Sequence, residues 1–401
     1  MRKTLIASGL FFLLFFYGLI LSQSQFAVIS EELEPKNPEM FYDYKGVSNV
    51  HTARGLGSGS YEDIIEAALE TNLDFIAFTD LNPFVGPPVP EGYHRDLLVI
   101  KGAEYSYLDA RLLVFDVDNR HSFETLGQTQ TLLADLLSQS GPEADKDLIL
   151  LAHPTKPGYE WSEQFPSGLD GIEVINLKSI WRQAWENSKF SFIWSTMVYP
   201  FNSPLALIRL YEEPQTELSM WDSLSLKRHT VGIAGSDATA KTSPVSGEFL
   251  RFPSYQTSFS MLSNHVLLRS ELTGEAAGDT KKILGALSSG NFYMSLDVLG
   301  DPKGFVAYIR DDEKIYPMGS RVKWVKGMKM IVKLPQKPNT PFEAAFLKDG
   351  QHVMSSNSVD TEYIINGPGV YRVTVRVFLS LTLPDGNRWY TWLYTNPFYL
   401  D

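Results

Sequence analysis

"SYEDIIEAALETNLDFIAFTD", residues 60 to 80, carries two periodicities back to back. In its first half Ser60 is placed to cap a helix, Asp63 stands three residues on, and Ile64/Ala68 with Ile65/Leu69 form one apolar stripe that Asn72 closes. In its second half the run is continuously apolar and ends on Thr79-Asp80, the pattern of a strand covered on both faces. "DLLVIKGAE", "LILLAHP", "GIEVIN" and "TVGIAGSD" repeat that second design, with helix-like segments between them up to about residue 300. Strand, polar tip and helix in repetition predict an α/β fold of the β/α-barrel kind. Chemistry in such barrels gathers at the C-terminal ends of the strands, where these polar tips fall.

Beyond residue 300 the period becomes two. Tyr371, Val373, Val375 and Val377 alternate with Arg372, Thr374 and Arg376, and the turn pairs Asp349-Gly350, Asn366-Gly367 and Asp385-Gly386 punctuate the segments. Residues 301–401 are therefore expected to form a small antiparallel β-sandwich of immunoglobulin-like type behind a barrel at 45–300. One stretch fits neither pattern: residues 181–214 are aromatic and apolar but interrupted by Pro200 and Pro204. An inserted helical pair packed on the barrel is preferred there over a membrane-surface lid.

Met1-Arg2-Lys3 precedes an uncharged run, residues 5–21, as an export signal would. Cleavage after Ser22-Gln23-Ser24 and retention of residues 1–24 as an inner-membrane anchor both fit its length. Either places the chain outside the cytoplasm, periplasmic or secreted, with 25–44 as a polar linker. Acidic residues outnumber basic ones by 47 to 35, a formal charge of −12, which argues against nucleic acid as a partner. There is no cysteine, hence no disulfide and no thioether lipid.

Taken in order, "GVSNVHTARGLGSGSYEDI", "FTDLN", "KGAE", "LLAHP" and "GIAGSDATA" resemble the motifs of the PHP superfamily, named for polymerase and histidinol phosphatase domains. "WDSL", "NHVLL" and "ALSSGNFYMSLD" are similar to an exported branch in which a β-sandwich follows. The resemblance implies a distorted seven-stranded barrel that binds up to three divalent metals through His, Asp and Glu and hydrolyses phosphate esters. Paired cations position hydroxide and neutralise phosphoryl charge in such sites.

Residue by residue, the resemblance is incomplete. The opening His-x-His reads Asn49-Val50-His51, the "TDH" tip reads Thr79-Asp80-Leu81, and the last motif ends on Thr239 rather than histidine. Glu104, His153 and Asp237 match, while Arg111 stands where a histidine is expected. One metal position keeps His51, Glu104 and Asp237, with Asn49 as a weak fourth donor. A second, with Leu56 or a neighbour, Leu81 and Thr239, lacks lone pairs, and the third brings Glu104 and His153 against Arg111. The expected cofactor is none or one divalent metal: Zn, Mn or Fe.

Three functions follow. In the first, a degenerate pocket binds a small anionic ligand, phosphorylated or polyol, with weak or no turnover. Arg111, Thr239, Ser236, Asp80 and Glu173 line it. In the second, a metal-dependent phosphoesterase keeps one ion on His51, Glu104 and Asp237, with His153 and Asp237 catalytic. In the third, the barrel is inert and the chain is an envelope interaction module.

Overall fold

The computed structural model describes residues 2–29, 41–86, 88–115, 125–138, 147–161, 164–245, 248–312, 314–381 and 385–401. Most of the expected linker, residues 30–40, lies outside the described residues. The protein is a mixed α/β chain, with one large sheet and nine α-helices among the described residues.

The first helix after the linker is Tyr61–Glu70, and its start is dictated by local chemistry. The Ser60 hydroxyl accepts from the Asp63 N–H and the Asp63 carboxylate accepts from the Ser60 N–H, both at 3.1 Å. Two of the helix's orphan donors are thereby satisfied. Ile64, Ile65, Ala67 and Ala68 are buried. Asn72, at φ +54°, then turns the chain into Phe75–Phe78, every residue of which is buried.

The sheet is organised around Tyr42–Val50. That strand runs parallel to Phe75–Phe78 on one side and to Val231–Ala238 on the other, while its first half pairs antiparallel with Ser263–Leu268. From Phe75–Phe78 the ladder passes to Leu97–Lys101, and the chain continues as Ala103–Tyr107. It then crosses Ala110–Phe115, Leu148–Ala152 and Gly171–Asn176 to Val231–Ala238, and so returns to Tyr42–Val50. Leu148–Ala152, Gly171–Asn176 and Val231–Ala238 are buried along their whole length. The unbroken apolar sequence of Leu148–Ala152 follows from that double covering.

Ser263–Leu268 continues the ladder to Phe292–Ser295, which pairs with Asn387–Thr395 near the C-terminus. Asn387–Thr395 in turn pairs with Gly369–Ser380, and Gly369–Ser380 with Phe342–Lys348. A separate sheet holds Val306–Arg310, Ile315–Pro317, Lys329–Lys333 and Asp360–Ile364. The Asp349-Gly350 hairpin has both residues at positive φ, +53° and +76°, the turn that matches strand twist. Tyr371, Val373, Val375 and Val377 are fully buried, and Arg372 is buried as well. Its guanidinium makes two bonds, 2.7 and 2.8 Å, to Asp222 on the helix Gln215–Ser225, tying the C-terminal strands to the rest of the chain.

Within 181–214 the prolines mark helix boundaries. Leu177–Asn187, Lys189–Val198 and Ser203–Ile208 are helical; Pro200 lies in the turn before the third, and Pro204 in its first turn, where Asn202 caps it. A further helix, Arg2–Ser22, packs on this segment. The Asn202 amide donates to the carbonyls of Leu21 and Ser24, at 2.9 and 3.1 Å, and Tyr17 meets Trp194 at 5.7 Å between ring centroids. Among the described residues, no helix is long and apolar enough to cross a membrane.

Candidate functional site

Three strand tips place unusual backbone next to one another. Asn49, His153 and Asp237 adopt φ of +59°, +51° and +43°, a conformation that Asn, Asp and His tolerate better than other side-chain-bearing residues. Such strain persists where the surroundings hold it, and it collects at functional sites.

His51, Glu104, His153 and Asp237 close into a ring. His51 Nε2 lies 3.3 Å from Glu104 Oε2 and 3.5 Å from Asp237 Oδ1, while His153 Nε2 lies 3.5 Å from Glu104 Oε1 and 3.7 Å from Asp237 Oδ2. All four are buried. His51 Nε2 and Glu104 Oε2 are nevertheless without a hydrogen-bond partner, as are His51 Nδ1 and His153 Nδ1. Buried polar atoms left in this state are costly unless something else engages them.

Glu173, fully buried within Gly171–Asn176, organises the layer behind the ring. Its carboxylate accepts from Asn49 Nδ2 and Asn176 Nδ2, each at 2.8 Å, and from the His153 backbone N–H at 3.2 Å. His153 Nδ1 stands 3.6 Å from it. Gly235 makes room: a Cβ there would collide with the Glu173 carboxylate. Asn49 gives its nitrogen to Glu173 and turns its oxygen toward the Thr79 hydroxyl at 3.4 Å, so the amide is engaged on both sides.

Three cations surround the ring. Arg111 Nε is 3.9 Å from Glu104 and Lys178 Nζ is 3.7 Å from Asp237. Arg111 and Lys156 share the Tyr159 ring, at 4.9 and 4.8 Å from its centroid, and Arg111 also donates to the Ser106 hydroxyl. The remaining candidates sit at the edge. Asp80 accepts from the Thr52 N–H and hydroxyl, both at 2.6 Å, and Ser236 donates to the carbonyls of Ser48 and Asn49. Thr239 accepts through its carbonyl from Tyr255 and, with Asp237, borders a cavity of about 500 Å³.

The charges balance locally. Burial pushes the Asp237 carboxyl upward, but Lys178, His153, His51 and Lys156 outweigh it and hold the group below the usual carboxylate range. Burial likewise raises Glu104, and the hydrogen bond from His153 with the charges of both histidines brings it down. Burial disfavours the His153 imidazolium, yet Glu104, Asp237 and Glu173 together lift its pKa above the ordinary value. Glu173 is raised, chiefly by desolvation.

The ring's donor set is chemically that of a divalent ion, but it is more open than a closed four-ligand site. Imidazole nitrogens and carboxylate oxygens held about 2.0–2.2 Å from a tetrahedral ion stand roughly 3.3–3.6 Å apart, and such donors suit Zn, Mn or Fe. The four contacts, 3.3 to 3.7 Å, reach that spacing only between neighbours round the ring and use both oxygens of each carboxylate; no three of the four residues bring one donor atom each within 4.8 Å of one another, so the side chains would have to draw in to hold an ion. Arg111 and Lys178 flank the two carboxylates of the ring with positive charge.

A second cluster is tighter but already satisfied. Among the described residues, the trio whose ligand atoms all fall within 4.8 Å of one another is His265, Asp297 and Asp301. His265 Nδ1 bonds Asp43 at 2.8 Å, its Nε2 meets Asp297 at 3.3 Å, and Lys45 Nζ reaches Asp301 at 2.8 Å. The imidazole pKa is raised to about 10: burial opposes the charge, and Asp43 and Asp297 override burial. This is a structural charge cluster at the junction of the first strand and the C-terminal sheets.

Sequence reasoning did not anticipate Lys156, Lys178, Tyr159 or the His265 cluster. Lys178 follows the "GIEVIN" strand in the first turn of Leu177–Asn187, and that position was its only signal.

Compared with known proteins, the chain matches no family model and no curated protein sequence. Among solved structures, it is similar to a two-domain protein from Bacteroides vulgatus containing a predicted PHP-like metal-dependent phosphoesterase: 12% identity over 90% of this chain and 99% of that one, TM-score 0.39. It is also similar to a candidate metal-dependent phosphoesterase from Bifidobacterium adolescentis: 15% identity over 51% of this chain and 91% of that one, TM-score 0.27. At these scores neither likeness bears on activity.

Proposed function

We propose that the chain is a PHP-like phosphoesterase reduced to a single divalent ion, Zn, Mn or Fe, with His51, Glu104, His153 and Asp237 as its holders. The observation that carries this reading is a ring of four buried histidine and carboxylate side chains in which His51 Nε2 and Glu104 Oε2, 3.3 Å apart, are both without a hydrogen-bond partner. The bound ion would polarise a phosphoryl oxygen and lower the pKa of its water. The chain supplies the rest. Glu173 fixes the His153 loop through its backbone N–H, and Arg111, Lys156 and Lys178 offer cationic contacts for the anionic group. His153 takes the fourth holding position because the Asn49 amide is already engaged.

The same reading includes a distorted seven-stranded barrel for the looped strand pairings, an immunoglobulin-like sandwich at 301–401, and an exported chain attached to the inner membrane through residues 5–21. A second reading keeps a metal-free anion pocket with weak or no turnover. It is favoured by Arg111 and Lys178, which already offset Glu104 and Asp237.

Chelator-treated full-length protein assayed on 4-nitrophenyl phosphate separates the two. The first reading expects hydrolysis restored by Mn or Zn and saturating at one equivalent. Inorganic phosphate binding without turnover at any metal concentration selects the second. Neither binding nor turnover removes both.

A further inference from the structure

The 500 Å³ cavity bordered by Asp237 and Thr239 is of ordinary size for a small-molecule site, but its composition is not that of a pocket for a purely polar phosphate ester. Trp181, Phe192, Leu207, Leu210 and Phe252 wall it. Its charged lining residues are Lys178, Arg182, Lys241 and Asp237; Arg182 is paired with Glu186, and Lys178 lies 3.7 Å from Asp237. Trp185, another wall residue, is 40% exposed, so the cavity reaches the surface there.

That surface is apolar. On Lys189–Val198, Phe190, Ile193 and Met197 are exposed, and Phe190 stacks on Trp194, which meets Tyr17 of the N-terminal helix. Phe12, Leu13, Phe16 and Ile20 on that helix are exposed too. Phe192 joins the outer face to the cavity, contacting Trp185 at 5.3 Å and Phe252 at 6.5 Å between centroids. An apolar face thus adjoins an apolar cavity whose lining also includes Lys178 and the ring's Asp237.

We infer that this cavity receives the hydrocarbon tail of an amphiphile with a phosphorylated head, the tail between Trp181 and Phe252 and the head against Lys178 beside Asp237. The inference rests on the phosphoesterase reading for the head group alone. Burying each methylene is worth roughly four-fold in affinity, so tail length is the sensitive variable.

The test is calorimetric titration of full-length protein held in amphipol with octyl phosphate, butyl phosphate, octanol and inorganic phosphate. Octyl phosphate is expected to bind at least about 30-fold more tightly than butyl phosphate, the four added methylenes being partly buried. Phe192→Glu, and independently Trp185→Glu at the rim, should erase that preference while inorganic phosphate binding is retained. Phe190→Glu with Ile193→Glu, outside the cavity, should leave it in place. Equal binding of octyl and butyl phosphate overturns the tail site. So does a preference lost in the Phe190/Ile193 variant but kept in Phe192→Glu. Octanol matching octyl phosphate overturns the head group. Because the readout is binding, loss of hydrolysis bears on the phosphoesterase reading and not on this one.

Discussion

Asp237→Asn should lower kcat/KM on 4-nitrophenyl phosphate by about 10²–10³-fold and remove bound metal, with the fold intact by circular dichroism. Asparagine is chosen because residue 237 sits at φ +43°, which alanine would strain and asparagine accepts. What the substitution takes away is one negative charge facing His51, His153 and Lys178 at 3.5 to 3.7 Å. The neutral amide offers an ion a weaker oxygen and cannot offset the Lys178 ammonium. A purely structural Asp237 would give a different result, with altered thermal stability and unchanged metal content and turnover.

His265→Gln should cost about 4 kcal/mol of stability at pH 7, the differential interaction of a charge whose pKa moves from 6.5 to about 10 on folding. The sign follows from the direction. A raised imidazole pKa means that the folded state binds the proton more tightly, so its stabilisation is complete below pH 6.5 and fades as pH climbs through about 10. Unfolding midpoints of the native protein should therefore fall between pH 7 and 10 more steeply than those of the variant. Parallel pH profiles for the two would refute the charged assignment. The site behind the number is compact: Asp43, Asp297 and Asp301 converge on a fully buried ring stacked 4.7 Å from Tyr293, and Asp43 also binds the Tyr293 hydroxyl and the Gly304 N–H.

The two clusters differ in how far sequence reveals them. His51, His153 and Asp237 lie at or just past the ends of largely apolar strands and Glu104 follows another, so local patterns suffice to bring them to one rim. Arg111 beside Glu104 follows from the antiparallel pairing of 103–107 with 110–115, in which Arg111 lies opposite Ser106. Lys156 and Lys178 belong to segments beyond the strand ends, whose course depends on packing rather than on periodicity. The same holds for Asp80, which has a ligand's position in the motif but bonds to Thr52 because the 51–60 loop folds back over it. His265 was visible only as part of "NHVLL". Its partners come from residue 43 and residues 297 and 301, a juxtaposition set by the antiparallel pairing of 42–46 with 264–268 and by the turn after 295. In 181–214, aromatic content obscured three helices whose ends Asn176, Ser188 and Asn202 nonetheless mark by capping.

One ion, and no more, is expected at the rim of this sheet, because Arg111 and Lys178 already set positive charge against Glu104 and Asp237. Elemental analysis of full-length protein, dialysed against excess Zn, Mn or Fe and freed of unbound metal, tests it directly. One equivalent per chain, lost in Asp237→Asn, is the expected result. Two or more equivalents, or none under every metal offered, would contradict it.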